Sequence, residues 1–317
     1  MTKILITGGA GFIGSHLASS LDNEINDVYI LDGWTRDYPG HTSIHRGTRG
    51  LERVSELEAT YRTKAAAYRF NLIRSLPYYG SWSFQLTKPL EDVDLIINCG
   101  SLSEAILSQY FKEFTHDSIV TGVKTLKKLF SCPILHFSSS MVYGTWSGCI
   151  DENYPTNPVD WYGECKAEAE TFLDTKKDII VRPMHVYGYG DGKFPMTMNI
   201  ERAYIKNSPV TVEEADCIYI KDLVNLVEQV ITNWVPGTYN LSSGYIRNQN
   251  TIKNEAKNIL GFDIKTVTKS GPTGKDRGTL NSSKLKNTFK WESIYSSYED
   301  TIRDYFSIHK EKHESIS

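Results

Sequence analysis

The chain reads as an α/β protein: a doubly wound parallel sheet with a smaller, partly discontinuous lobe toward its C-terminus. Three observations predict this class. Short apolar runs alternate with helix-period segments as far as Val181, the pattern of strand–helix–strand units. A glycine-rich turn joins the first apolar run to the first helix. From Arg182 onward the alternation loosens, and residues 186–199 carry glycines, prolines and aromatics without a clear period.

Residues 1–7 form the first strand, with the apolar run Ile4-Leu5-Ile6. The chain then runs Thr7-Gly8-Gly9-Ala10-Gly11-Phe12-Ile13-Gly14-Ser15-His16-Leu17 into a helix. Gly8, Gly9 and Gly11 permit positive φ and put no side chain between the backbone and an approaching phosphate. Gly14 lets the helix lie close to its strand, while the helix N-terminus turns unpaired N–H groups toward an anion. The glycine spacing alone is weak. With a strand before it, a helix after it and Asp32 ending the second apolar run (Val28-Tyr29-Ile30-Leu31), it specifies a dinucleotide site. Asp32 can accept both ribose hydroxyls and repels a 2′-phosphate, so NAD is favoured over NADP. Arg36 is the one nearby residue that could greet that phosphate instead.

Residues 33–46 read as a loop beside the ribose, 47–66 as a helix with Leu51, Val54 and Leu57 on one face, and 66–72 as a third strand. Residues 74–91 are aromatic and irregular; Tyr78, Tyr79, Trp82 and Phe84 read as packing before they read as a sugar-stacking platform. Residues 93–100 are a buried parallel strand whose small carboxyl-end residues suit a cofactor crossing the sheet edge. Helical patterns follow at 103–114 and 116–131, then a strand at 133–137 ending in Ser138-Ser139-Ser140-Met141-Val142-Tyr143-Gly144. A helix covers 161–176 and a strand 179–181. Further on come strand then helix at 218–231, a strand at 238–241, and helices at 251–260 and 296–306. The expected division is a cofactor domain over 1–182, with 216–240 returning to it, and a substrate lobe over 183–215 and 241–309 closing over it. Residues 310–317 read as a frayed tail.

At 317 residues, with 40% hydrophobic and 23% charged side chains, the chain can bury a large core. A net charge of −3 gives no electrostatic case for nucleic acid or an anionic membrane. The five cysteines are scattered and never form Cys-x-x-Cys, which fits a reducing compartment and argues against a disulfide framework or zinc site. No apolar stretch approaches membrane-spanning length, and the opening strand argues against a cleaved signal peptide. The cytoplasm is the expected location, and no metal is expected. His16 has no partners at ligand spacing and reads as packing near the pyrophosphate.

Tyr162-Gly163-Glu164-Cys165-Lys166 puts a phenol and an ammonium four residues apart on one helix face. A tyrosine titrates near ~10, a poor base at neutral pH. A neighbouring Lys⁺ and a cationic nicotinamide both favour phenolate, and a drop of ~3 units corresponds to ~4 kcal/mol. Taken alone, this pair reads as a surface contact and Ser139 as a loop serine. The case lies in the arrangement: glycine loop, Ser139 at a strand's carboxyl end, Tyr162 and Lys166 on the following helix, all able to meet in one crevice. Cys165 beside Lys166 reads as a plain helix position.

In these motifs the chain resembles the extended short-chain dehydrogenase/reductases, a Rossmann-fold group, and within them the NAD-dependent sugar epimerase/dehydratase family, close to its UDP-glucose 4-epimerase-like branch. The likeness covers nearly the whole chain: residues 7–17, the Ser138–Gly144 segment, Arg182-Pro183-Met184-His185-Val186-Tyr187-Gly188, Asp216–Leu223 and Asn281–Lys284. It implies that Gly8, Gly11, Phe12, Ile13, Gly14 and Asp32 bind NAD, that Asn71 and Leu72 flank the adenine, and that Gly100 and Ser101 line the cofactor. It implies a triad of Ser139, Tyr162 and Lys166, with Tyr162 and Lys166 also touching the cofactor. Ser103, Ser139, His185 and Arg277 would contact a nucleotide-sugar substrate. By the same likeness, Tyr162 takes a proton from a sugar hydroxyl while hydride passes to the nicotinamide, Ser139 bonds the same oxygen, and the keto sugar turns over.

Departures from the pattern narrow the subclass. Family dehydratases carry Asp-Glu after the catalytic hydroxyl, where this chain has Ser140 and Met141, which cannot expel water. His185 replaces an Asn, and Ala215 stands where many members have a diphosphate-clamping Arg; Arg277 is the remaining clamp candidate, Lys193 reads as a solvated charge, and Asn98 replaces a common His. Two further readings stay open: a dehydrogenase or reductase with net redox turnover, and a non-catalytic NAD-binding module. The likeness also implies a homodimer paired through the 103–114 helix and the Tyr162-bearing helix.

Overall fold

The computed structural model describes residues 2–9, 11–31, 93–102, 105–188, 210–212, 216–246, 249–261, 263–268 and 277–314. The expected helix at 47–66, the strand at 66–72 and the aromatic stretch 74–91 lie outside the described residues. The chain divides into two compact units. One comprises Met1–Val142, Pro158–Val181 and Val235–Thr238; the other comprises Tyr143–Asn157, Arg182–Trp234 and Tyr239–Ser317.

The apolar runs become β1 (Thr2–Thr7), β2 (Asn26–Leu31), β3 (Leu95–Asn98), β4 (Ile134–Phe137), β5 (Trp146–Ile150) and β6 (Ile179–Pro183), with β7 (His185–Tyr187), β8 (Val210–Val212), β9 (Asp216–Tyr219) and β10 (Gly237–Leu241) following. A six-stranded sheet runs in the order β10-β6-β4-β3-β1-β2. Its pairs β1–β2, β1–β3, β3–β4 and β4–β6 are parallel. Ile4, Leu5 and Ile6 are all fully buried, so both faces of the sheet are covered and the strand carries no polar alternation. From β1 the chain adds β2 on one side and later β3 on the other. The exits of β1 and β3 therefore lie side by side at the point where strand order reverses, the place where a ligand crevice forms in such sheets.

Helix α1 (Phe12–Leu21) leads from β1 to β2 and buries Gly14, Leu17, Ala18 and Leu21, an i, i+3, i+4, i+7 stripe. The two helices expected at 103–114 and 116–131 are instead α2 (Ala105–Tyr110), α3 (Lys112–His116), a π turn (Asp117–Thr121) and α4 (Gly122–Leu129). Phe111 leaves the helical region at φ −121°, ψ 57°. The segment is rich in hydroxyls bonded back to the preceding turn: Thr115 to Phe111, Ser118 to Thr115 and Thr125 to Thr121. Such back-bonding competes with the helical ladder and bends it. Helix α5 (Trp161–Glu170) begins where expected and stops short of 176. There the N–H groups of Thr171, Phe172 and Leu173 reach carbonyls only three residues back, tightening the last turn out of α geometry. Tyr162, Cys165 and Ala169 pack with Leu5, Ile96, Val120, Val123 and Ile180 in one apolar cluster, which seats α5 on the sheet.

In the second unit, β11 (Tyr245–Ile246), β9 and β7 form a three-stranded sheet, β12 (Thr266–Thr268) pairs with β8, and β13 (Arg277–Leu280) pairs with β5. Of the segment 216–240 expected to return to the main sheet, β10 joins it while β9 pairs with β7 and β11. Helices α6 (Ile220–Thr232), α7 (Gln249–Leu260), α8 (Ser283–Phe289) and α9 (Tyr298–Glu314) complete the described structure. Helix α9 continues five residues past the expected break at His309. No helix among the described residues is long and apolar enough to cross a membrane.

Candidate active site

The exit of β1 is a cradle made of backbone. Of the three glycines expected to allow positive φ, only Gly8 uses it, at +67°; Gly11 is extended, with φ −75° and ψ 177°. A Cβ on Gly8 would lie 2.7 Å from the Gly100 Cα, and one on Gly14 would lie 2.2 Å from the Gly8 carbonyl oxygen. Glycine is required by contact at both positions and, at Gly8, by its positive φ as well. Gly11 caps α1 with no side-chain hydrogen bond, and no acid stands in the first turn. The helix N-terminus is thus left positive, with no side-chain cap among the described residues. This fits a pyrophosphate, and so the NAD that the glycine pattern predicts.

The cradle is tied to the neighbouring strands. Gly100 N–H donates to Thr7 Oγ1 at 3.1 Å, and Thr7 Oγ1 donates to Asn98 Oδ1 at 2.6 Å. Asn98 Nδ2 meets His136 Nδ1 at 2.9 Å. With its oxygen engaged by Thr7, Asn98 is the donor in that pair, so the His136 proton sits on Nε2, which has no partner among the described residues. Burial, with Lys166 nearby, holds His136 well below the usual imidazole range and therefore neutral. Asn98 in place of a histidine thus joins β1, β3 and β4 by side chains.

At the exit of β4, Ser139 Oγ accepts the Met141 N–H at 3.2 Å and hydrogen-bonds the buried Tyr162 phenol. Asp160 caps α5 by accepting the Gly163 N–H at 2.8 Å. A Cβ on Gly163 would lie 2.6 Å from the Met141 carbonyl, so Gly163 sets how closely Tyr162 approaches the serine turn. Lys166 is buried and donates to the Phe137 carbonyl at 2.8 Å. Glu170 accepts the Ser138 hydroxyl at 2.5 Å.

The charge balance differs from the expectation. Tyr162 is raised above the usual phenol range, chiefly by burial; the Ser139 bond opposes that rise and the Asp160 charge adds to it. Lys166 donates to the Phe137 carbonyl, and its Nζ stands 5.8 Å from the Tyr162 ring centroid. Cys165 is pushed up to about 12 by burial, with Glu168 and Glu164 adding to it, in keeping with its reading as a plain helix position.

Gly8, Gly11, Phe12, Ile13, Gly14, Gly100, Ser101, Ser139, Tyr162 and Lys166 all fall in the first unit, at the exits of β1, β3 and β4 and on α5. His185 stands on β7 in register with Cys217, and Arg277 on β13 opposite Trp146, both in the second unit. Asp32, Asn71, Leu72 and Ser103 lie outside the described residues, as does the Arg277 side chain. Asp160, Gly163 and Glu170 were not singled out by the sequence. Two signals were there to be read: an acid three residues before Gly163, and a carboxylate one turn beyond Lys166 on the same face.

The model of the NAD dependent epimerase/dehydratase family matches residues 4–242. The chain is 25% identical to a UDP-glucose 4-epimerase of Lactobacillus helveticus, with 97% of each chain covered. It is 24% identical to a mouse dTDP-D-glucose 4,6-dehydratase, covering 77% of this chain and 68% of that one. In fold it is similar to the crystal structure of a UDP-glucuronic acid 4-epimerase from Bacillus cereus in complex with UDP-glucuronic acid and NAD. That likeness has a TM-score of 0.78 and 20% identity, over 98% of this chain and 99% of that one. With its family model spanning the strand–glycine–helix opening, the serine turn and the Tyr162-bearing helix, the chain belongs to the NAD-dependent epimerase/dehydratase family.

Proposed function

We propose that the chain is an NAD-dependent epimerase of a nucleotide-activated sugar, working through a transient keto sugar. The observation that carries this reading is the Ser139 hydroxyl bonded to the buried Tyr162 phenol, with Lys166 one turn further along the same helix. Tyr162, ionised with the help of the cationic nicotinamide of bound NAD, removes the proton of a sugar hydroxyl, and Ser139 steadies that oxygen as its charge changes. Lys166 keeps a fixed positive charge in the buried site and contacts the nicotinamide ribose. NAD, when bound, would supply the acceptor for the sugar's hydride and the donor that restores it. Gly8, Gly11, Phe12, Ile13 and Gly14 hold the pyrophosphate, Asp32 the adenosine ribose, Asn71 and Leu72 the adenine, and Gly100 and Ser101 the cofactor's inner side. Ser103, His185 and Arg277 contact the nucleotide sugar. The epimerase relatives support this assignment.

Dehydration is disfavoured, because Ser140 is buried and Met141 has no acid–base group where that chemistry needs two carboxyls. We further propose a cytoplasmic homodimer paired through α2 and α5; Tyr110, 78% exposed on α2, is a contact residue for that interface. The test is direct. The NAD-loaded protein is incubated with UDP- and dTDP-sugars without added reductant, and products are followed by proton NMR. An epimer appearing while the cofactor ends each cycle oxidised is the expected result. Stoichiometric NADH release would replace the epimerase reading with net dehydrogenation.

A further inference from the structure

Three consecutive residues leaving β4 are each held by a different turn of α5. Ser139 is bonded to Tyr162, the Phe137 carbonyl to Lys166 and the Ser138 hydroxyl to Glu170. Tyr162, Lys166 and Glu170 are spaced i, i+4, i+8 and share one helix face. The first two belong to the proposed chemistry. The third, at 2.5 Å, is a short bond from a serine that is 4% exposed to a half-buried carboxyl group.

We infer that Glu170 and Ser138 are a positioning pair that fixes the turn aiming Ser139 at Tyr162. Ser138 is gripped on both sides: its N–H donates to the Val181 carbonyl at 2.8 Å and its hydroxyl to Glu170. Beyond it, Ser139 is held by Met141 N–H at 3.2 Å and by Val142 N–H, which donates to the Ser139 carbonyl at 3.3 Å. Releasing Ser138 frees the first half of this turn and lets the Ser139 hydroxyl swing away from the phenol. Neither Ser138 nor Glu170 touches substrate in this account. The catalytic consequence rests on the function proposed above; the structural claim does not.

The test uses the NAD-loaded protein with carbon-13-labelled tyrosine, the Tyr162 ζ-carbon resonance being assigned with Tyr162→Phe. Ser138→Ala and Glu170→Ala are each expected to move that resonance in the direction that Ser139→Ala moves it. Each is expected to lower kcat about ten-fold, with KM for the nucleotide sugar within about two-fold, as for a small misplacement of a reacting group. Ser138→Thr, which keeps the hydroxyl, restores both. If Ser138→Ala and Glu170→Ala fold, lose thermal stability and leave the resonance at its wild-type position, the pair is only a staple between helix and sheet and the inference is overturned. If the wild-type protein turns over no nucleotide sugar, the proposed function fails, while the resonance still decides for or against the pair.

Discussion

At the exit of β1 the backbone is the binding group. A Cβ on Gly8, Gly11 or Gly14 would lie 2.2 to 3.0 Å from another backbone atom, and α1 opens with no side-chain cap. At the exit of β4 the opposite holds: backbone and side-chain groups of Phe137, Ser138 and Ser139 are taken up by side chains of α5. The difference follows from what each place must bind. A pyrophosphate is met by N–H groups and a helix dipole, which any side chain would obstruct. A reacting hydroxyl must be met by a group that changes protonation state, which only a side chain can supply.

A second pair of tyrosines sharpens this point. Tyr219, at the end of β9, donates its hydroxyl to the Asp304 carboxylate at 2.6 Å, and burial and that carboxylate both drive it above the usual phenol range. It is locked as a donor. Tyr162 is also raised by burial, but its bond to Ser139 works toward ionisation. The carboxylate partner opposes ionisation of Tyr219 while the serine partner favours that of Tyr162, which separates a structural tyrosine from one that can act as a base.

The largest expected effect is at the β4 side. Tyr162→Phe removes the base and leaves the glycine cradle intact, so kcat should fall by about a thousand-fold, within the usual range for a general base. NAD retention, read from cofactor released on denaturation, should be unchanged. Loss of NAD together with activity would erase the contrast between the two exits. Gly14→Ala attacks the other side: its Cβ would stand 2.2 Å from the Gly8 carbonyl, so the cradle must shift. Overpacking of this kind costs about 1–3 kcal/mol, roughly ten- to a hundred-fold in NAD affinity by titration calorimetry. Gly163→Ala is the matching test beside Tyr162, with a Cβ 2.6 Å from the Met141 carbonyl. It should lower kcat about ten-fold by moving the phenol away from Ser139, with NAD affinity kept. A weakened NAD affinity in Gly163→Ala would mean that the two exits are not separable.

Much of this is legible in the sequence, and the reason is the same contrast. A backbone cradle needs glycine at fixed spacing, and a buried parallel strand needs an unbroken apolar run, so β1, β3, β4 and α1 can be read residue by residue. Tyr162 and Lys166 are legible from their spacing on a helix. What escapes is whatever depends on which groups meet in three dimensions. Gly163 looks like a weak helix residue until the Met141 carbonyl is found against it. Glu170 looks like a solvated charge until Ser138 is found at its carboxylate. The break at Phe111 and the following π turn interrupt a segment whose helical period is continuous, because hydroxyl back-bonds compete locally with the ladder.

The smallest expected effect concerns Asp160, which carries two roles that one substitution can separate. Its carboxylate caps α5 through the Gly163 N–H at 2.8 Å, and its charge adds to the rise of Tyr162. Asp160→Asn keeps an acceptor at the cap, since Asn and Asp are near-equal N-caps, and removes the charge. The pKa of Tyr162 then falls. Because Tyr162 acts as a base when ionised, activity rises with pH through that pKa, and the ascending limb of log kcat/KM against pH moves to lower pH. A half-exposed charge is partly screened, so the shift should be roughly half a pH unit. Asp160→Ala should give the same shift and also lose about 1 kcal/mol of stability with the cap. If Asp160→Asn left the limb in place, Asp160 would be a cap alone.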